Sequence, residues 1–247
     1  SKPVAMVLGH LWLFESRAAR KVWVRHASSH FLQNTTSTAA NGKIAKLVKL
    51  VAAGNDEIKV QRCIQSSMKS VHTLEGSDLQ LLTVSLATSR FGEEKAWTEI
   101  ASIVTKKVAE IKVGDLRKIA GSFSVARKTD HEMLAAISSR FKESPEGLHC
   151  WSWADFIFSL QVAGMRDAEL LKVAADAMFT DSDALKKVKT SSIVAFVEAS
   201  LVADVFHQGL LCVLSQILVL RMESLNADDL SRVALTWGKA QLKDDLL

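Results

Sequence analysis

The sequence predicts an all-α fold, specifically an α-solenoid of about five and a half helical hairpins built on a 37-residue repeat. Two prolines and 11 glycines among 247 residues are too few for the many tight turns of an all-β chain. Apolar residues recur at helical spacing, and acidic residues return at a constant interval. A hydrophobic content of 48% with 23% charged residues is typical of a globular chain and excludes a disordered one.

The repeat is marked by five acidic residues, each 37 positions after the last. A small residue stands four positions before each acid, and an apolar residue seven positions after it. We expect each acid in the first turn of the second helix of a hairpin, where the helix dipole favours a carboxylate. After the fifth acid the register is expected to slip by three residues. The acids are Asp56, Glu93, Asp130, Asp167 and Asp204.

Each copy contains two amphipathic helices. Leu116, Ile119 and Phe123 follow the i, i+3, i+7 spacing of one helix face, and Met133 and Ile137 begin the same pattern after a short break. One hairpin alone cannot bury such faces, so neighbouring copies are expected to stack. The expected copies are 42–78, 79–115, 116–152, 153–189 and 190–229, followed by a half copy from 230.

Residues 1–41 are predicted to form a basic N-terminal arm and linker, and residues 42–247 the solenoid domain. The first forty residues hold five basic residues against Glu15, whereas the remainder holds 26 basic and 26 acidic residues. An Arg-, Ser- and His-rich, acid-poor segment is typical of a mitochondrial transit peptide. Three interpretations stay open: a targeting remnant, a basic arm lying on nucleic acid, or an exposed amphipathic helix. The apolar run at 5–14 is too short to span a bilayer, so no membrane span is predicted.

Motifs of catalysis and of metal or nucleotide binding are missing from the sequence. No GxxxxGK[ST], GxGxxG, GxSxG or HExxH occurs. His149 and Cys150 are adjacent, without a second pair at metal-ligand spacing. The sequence therefore predicts a protein that is not an enzyme, with no metal, cofactor or small-molecule substrate.

The units at 115–141 and 152–179 resemble heptatricopeptide or octotricopeptide repeats, found in FAST-kinase-like and RAP-domain proteins of organelles. The resemblance covers about residues 42–245, and no recognisable RAP domain follows the repeats. It implies an RNA-binding protein of mitochondria or plastids; several protist mitochondrial ribosomes contain such repeats as structural subunits. The matching residues are Ile119, Phe123, Ala126, the turn 127–130, Leu134 and Ile137 in one copy, and Ile157, Leu160, Ala163, Asp167, Leu171 and Ala174 in the next.

Cations are the candidate RNA contacts, because phosphate neutralisation supplies most of the affinity for RNA. One set lies at the turns between the two helices of a hairpin, although the helix dipole alone also favours cations there. The other set is the arm, where Trp23 lies among uncompensated charges and can stack on a base. The candidates are Arg17, Arg20, Lys21, Trp23, Arg25, Arg90, Arg127, Lys128 and Arg166.

Two segments are candidates for contact with proteins. Residues 205–220 carry no Asp, Glu, Lys or Arg, which predicts a helix buried on more than one face, by neighbouring hairpins or by a partner. The half copy from 230 is expected to leave apolar surface uncovered, so that it docks on another chain or continues into further sequence. The candidates are Val205, Leu214, Leu218, Leu235, Trp237 and Leu242.

The sequence thus predicts a non-enzymatic RNA-binding or structural subunit of a ribonucleoprotein in the mitochondrial matrix. The mitoribosome is the first candidate, with rRNA or other organellar RNA and neighbouring proteins of a large complex as partners. The alternative is a protein-only scaffold or an accessory subunit of another organellar complex, such as a respiratory one. The balanced charge of residues 41–247 and the apolar segment at 205–220 favour that alternative.

Overall fold

A computed structural model describes residues 41–54, 57–91, 93–145, 148–205, 207–225 and 227–240. In these ranges the chain is all-helical and contains no strand, which confirms the predicted class. The arm candidates Arg17, Arg20, Lys21, Trp23 and Arg25, together with Leu242, lie outside the described residues. The α-helices are α1 (Gly42–Ala52), α2 (Glu57–Met68), α3 (Gly76–Thr88), α4 (Glu94–Lys107), α5 (Val113–Ala126), α6 (His131–Glu143), α7 (Cys150–Val162), α8 (Ala168–Thr180), α9 (Thr190–Val202), α10 (Gln208–Leu220) and α11 (Ala227–Ala240). Short 3-10 helices lie at Val71–Thr73, Ser182–Lys187 and Met222–Ser224.

The chain divides into two compact units. The first comprises the residues up to Val104 together with Ser122–Lys128, and the second comprises Thr105–Gly121 with the residues from Thr129 onward. In the first unit α1 packs on α2 and α3 through Ile44, Leu47 and Val48, which are buried on one face of α1. The ring of Trp97 meets Phe123 edge-on at 4.8 Å between centroids, and both side chains are buried.

The second unit arranges its helices in two rows. The first helices of successive hairpins, α7, α9 and α11, pack side by side, and so do the second helices α6, α8 and α10. Side-chain hydrogen bonds tie the first row together. Asp155 accepts from Arg117 at 2.7 Å and from Ser192 at 3.1 Å, while Glu198 on α9 accepts from Gln161 at 2.8 Å and from Arg232 at 2.9 Å.

The residues at which the second helices begin show where the predicted 37-residue interval between acids matches the structure and where it is wrong. The second helices α4, α6 and α8 begin 37 residues apart, but α10 begins 40 residues after α8. Asp130 and Asp167 cap α6 and α8, their side chains accepting from the backbone N–H groups of Met133 and Leu170. Asp204 was expected in the first turn of the next second helix, yet it lies in the turn after α9 and before α10 begins. The 3-10 helix Ser182–Lys187 lengthens the connection to α9, so the slip falls earlier than predicted.

His207, rather than an acid of the 37-residue series, caps the N-terminus of α10. Its Nδ1 accepts from the backbone N–H of Leu210 at 3.0 Å, its Nε2 lies 3.6 Å from Oδ1 of Asp176, and its ring packs on Phe179. The ring nitrogen therefore satisfies one of the backbone donors that a helix N-terminus leaves unpaired.

We expect His207→Ala to lower the free energy of unfolding by about 1 kcal/mol, because α10 loses its cap. His207→Asn should lose less, since its amide oxygen can accept the same backbone hydrogen bond. Both variants lack the imidazole ring that packs on Phe179, so the difference between them isolates the cap. Urea denaturation followed by circular dichroism measures that difference, and equal stability of the two variants would show that the cap contributes nothing.

Asp78 is a buried acid in the first turn of α3, with only 2% of its surface exposed. Burial raises the pKa of its carboxyl above the ordinary value. The backbone N–H of Asn41 donates to this carboxyl and lowers its pKa, while the nearby charge of Glu75 raises it further. With the net shift upward, the charged form is disfavoured in the folded state.

Asp78→Asn is therefore expected to be more stable than the wild type at pH 7. Ionisation of Asp78 lowers the stability of the wild type above the raised pKa, and this cost disappears as the pH falls below the ordinary carboxyl pKa of about 4. Denaturation curves at pH 7 and near pH 4 should show the two proteins converging on acidification. A difference that stays constant or widens at low pH would contradict the role assigned to this carboxyl.

Candidate nucleic-acid interface

The turns that end α1, α3, α5, α7 and α9 share one backbone feature. A residue with positive φ follows the helix, its N–H bonding to the carbonyl three residues back. Where the next residue is described, its N–H bonds to the carbonyl five residues back, which is the Schellman arrangement of a helix end. We call this residue the left-handed turn position. Its occupants are Gly54, Arg90, Arg127, Gly164 and Asp204.

Two of the predicted RNA contacts, Arg90 and Arg127, occupy the left-handed turn position, each with φ of 56°. Both side chains are exposed. Arg166 is exposed as well, but it stands two residues after Gly164 and so is not equivalent to the other two. We refer to Arg90 and Arg127 as the turn arginines.

Other cations near the helix ends are already paired within the chain. Lys128, also a predicted RNA contact, is half-buried, and its ammonium group pairs with the carboxylate of Glu94. Lys142 lies 3.0 Å from Glu169 and 3.2 Å from Asp167, and its hydrogen bond with Glu169 is the main cause that raises the pKa of Lys142. Because their charges are compensated, these two lysines are weaker candidates for phosphate contact than the exposed Arg90.

Four exposed cations that the sequence patterns did not predict as RNA contacts line a groove of about 370 Å³ between α1 and α2. Two of them belong to α1 and two to α2. A signal was present in the sequence, since on each helix two cations stand three residues apart and therefore share a face. The lining residues of this α1–α2 groove are Lys43, Lys46, Leu50, Lys59, Arg62, Cys63 and Ser66.

The predicted protein contacts are mostly buried by the chain itself. Val205, Leu214 and Leu218 belong to the core and are covered by other residues of the chain. Trp237 is buried too, and its Nε1 donates to Oγ of Ser215 at 2.6 Å. Leu235 is 60% exposed. Of the two ways in which this segment was expected to be buried, burial by neighbouring helices of the same chain accounts for Leu214 and Leu218.

Exposed apolar side chains do occur near the end of α10 and on α11. They belong to the end of α10, the 3-10 helix that follows it, and two separate positions of α11. They are Val219, Leu220, Met222, Leu230 and Leu235, with Leu220 84% exposed.

Within the described ranges, no three His, Cys, Asp or Glu side chains come together in a way that could hold a metal ion. None of the helices described is both long and apolar enough to cross a membrane. Comparison of the sequence with protein-family models and with curated proteins gives no match.

Proposed function

We propose that the chain is an α-solenoid that serves as a non-enzymatic RNA-binding subunit of a mitochondrial ribonucleoprotein, with the mitoribosome as the first candidate. Its cations contact phosphates of rRNA or of other organellar RNA in the matrix, and its remaining surface contacts neighbouring proteins. Support for the solenoid comes from the second unit, where α7, α9 and α11 form one row and α6, α8 and α10 another. Support for the compartment comes from the composition of the N-terminal arm.

The observation that carries the RNA-binding proposal is the choice of residue at the left-handed turn position. Glycine adopts positive φ without steric strain, whereas the same conformation raises the free energy of an ordinary L-residue by about 1–2 kcal/mol. Arg90 and Arg127 stand where Gly54 and Gly164 serve other hairpins. An exposed guanidinium binds phosphate through two parallel hydrogen bonds. Phosphate binding would therefore explain why arginine stands at a position where its backbone is strained.

Arg90→Gly is expected to change stability and RNA affinity in opposite directions. Glycine at position 90 removes the steric strain of positive φ, so the free energy of unfolding should rise by about 0.5–1 kcal/mol. When the logarithm of the RNA affinity is plotted against the logarithm of the salt concentration, loss of one phosphate contact should make the slope shallower by about 0.7. Thermal unfolding and fluorescence anisotropy with labelled single-stranded RNA, between about 50 and 200 mM salt, measure the two effects.

Arg90→Ala is the matched control, because it removes the guanidinium group but leaves an L-residue at positive φ. It should bind RNA as weakly as Arg90→Gly without the gain in stability. If Arg90→Gly bound RNA with the affinity and salt dependence of the wild type, Arg90 would not be a phosphate contact.

The proposed function as a whole is tested with the wild-type chain. We expect salt-sensitive binding to single-stranded RNA, and sedimentation of the native protein with a mitochondrial particle that RNase disperses. Absence of RNA binding together with an RNase-resistant particle would contradict the proposal. That result would support the second candidate, a protein-only scaffold or accessory subunit, which the exposed apolar residues Leu220 and Leu235 favour.

A further inference from the structure

We propose that the α1–α2 groove is a second RNA site, in which its four cations hold phosphates of the RNA backbone. This inference rests on the proposed function and extends it to a surface other than the turn arginines and the N-terminal arm.

The walls of the groove are two matching helix faces. On each helix two cations and one further residue follow at i, i+3 and i+7, so the three share a face. The adjoining faces of both helices supply buried side chains to the core. The Sγ of Cys63 lies 3.7 Å from the carbonyl oxygen of Lys43, which joins the two walls. The residues are Lys43, Lys46 and Leu50 on α1, and Lys59, Arg62 and Ser66 on α2.

The cations of the groove have no carboxylate partner within the part of the chain that the structure describes. In this they differ from Lys128 and Lys142, which are paired with carboxylates. A concave surface lined by charges of one sign concentrates their field and attracts a ligand of the opposite sign. The ligand favoured here is therefore an anion with several charges.

The positive charge of residues 41–247 is concentrated at this hairpin. Residues 41–70 hold six basic and two acidic residues, a net charge of +4, whereas residues 71–247 hold 20 basic and 24 acidic residues, a net charge of −4. The hairpin directly follows the N-terminal arm in the sequence, and that arm also has a net charge of +4. Such asymmetry along a chain is typical of contact with nucleic acid.

The size and lining of the groove suit a nucleotide unit of an RNA strand. A volume of about 370 Å³ lies in the range of sites that hold small ligands. Leu50 and Cys63 add apolar surface between the cations, against which a ribose or base can rest. Lysine and arginine on both walls can then neutralise phosphates on either side of that unit.

The test compares two variants that lose the same charge. The groove variant carries Gln at Lys43, Lys46, Lys59 and Arg62, and the control carries Gln at the exposed Lys95, Lys106, Lys172 and Lys187. For single-stranded RNA at about 100 mM salt, we expect the groove variant to bind at least about tenfold more weakly, with a log–log salt slope shallower by about 3. The control should keep most of the affinity and of the slope. Replacement of the three groove lysines by Arg should preserve binding.

Failure of this inference can be told apart from failure of the proposed function. If the wild type shows no salt-sensitive RNA binding, the proposed function and the groove site both fall. If the wild type binds RNA but the groove variant binds like the control, the groove inference alone is overturned. It is also overturned if the groove variant keeps RNA binding but loses affinity for poly-glutamate, since the groove would then serve an acidic protein. Circular dichroism and the unfolding temperature establish that each variant is folded.

Discussion

Phe156→Ala is expected to lower the free energy of unfolding by about 3–5 kcal/mol and the unfolding temperature by about 10 °C. Phe156 is fully buried at the centre of α7. Its ring stacks on Phe141 of α6 with centroids 4.2 Å apart, and Phe141 in turn meets Trp153 edge-on at 5.6 Å. Alanine would leave a cavity at the contact between the two helices and remove an aromatic pair that contributes beyond its buried area.

Phe158 provides the control for this prediction, because it lies on the same helix but is only partly buried. Phe158→Ala should cost much less, since part of the site already faces solvent. Thermal unfolding followed by circular dichroism compares the two variants. Similar losses at both positions would mean that the buried aromatic cluster contributes no more to stability than a partly exposed phenylalanine does.

Glu198→Ala is expected to lower the free energy of unfolding by about 2–3 kcal/mol and to loosen α11 first. The Glu198 carboxylate is about one-fifth exposed and accepts from Gln161 of α7 and Arg232 of α11. Alanine would leave the half-buried Arg232 guanidinium without its carboxylate, and an unpaired charge is costly in such a place. Hydrogen exchange of the α11 amides should therefore accelerate more than that of α7.

A double-mutant cycle with Arg232→Ala isolates the pair itself. The double variant should lose less than the sum of the single losses, because Arg232→Ala removes the charge that Glu198→Ala leaves unpaired. The surface control is Glu169→Ala, whose side chain is 78% exposed and whose loss should cost no more than about 0.5 kcal/mol. Additive losses in the cycle would contradict the proposed coupling of α9 to α11.

The helices could be predicted from the sequence because amphipathic spacing is a local property. Leu116 and Ile119 on α5, and Met133, Leu134 and Ile137 on α6, were placed on helix faces by their spacing alone, and all five are buried. A helix brings residues three and four apart onto one side whatever surrounds it, so the pattern could be read without knowledge of the partner helix.

The capping of α10 could not be predicted in the same way. The constant interval between acids pointed to Asp204, whereas the 3-10 helix Ser182–Lys187 shifts the later helices by three residues. A short turn of this kind leaves no periodic signal, and histidine at position 207 does not resemble the aspartates that cap α6 and α8. The cap became visible only from the hydrogen bond between Nδ1 of His207 and the N–H of Leu210.

The candidate RNA contacts could likewise be predicted only in part from the sequence. The sequence could place Arg90 and Arg127 near turns, but it could not show that both adopt positive φ where glycine serves other hairpins. Nor could it show that Lys128 is paired with Glu94. The α1–α2 groove needed the structure as well, because spacing within α1 or α2 does not reveal that the two basic faces line one cleft.

By itself, the sequence determined the all-helical class of the residues that the structure describes, because helix formation depends on spacing within about ten residues. Only the tertiary structure decided which faces are covered. Leu214 and Leu218 lie in the core rather than on a partner surface, and Glu198 bonds to side chains 34 and 37 residues away in sequence. Such contacts form between residues that are distant in sequence, so no local pattern specifies them.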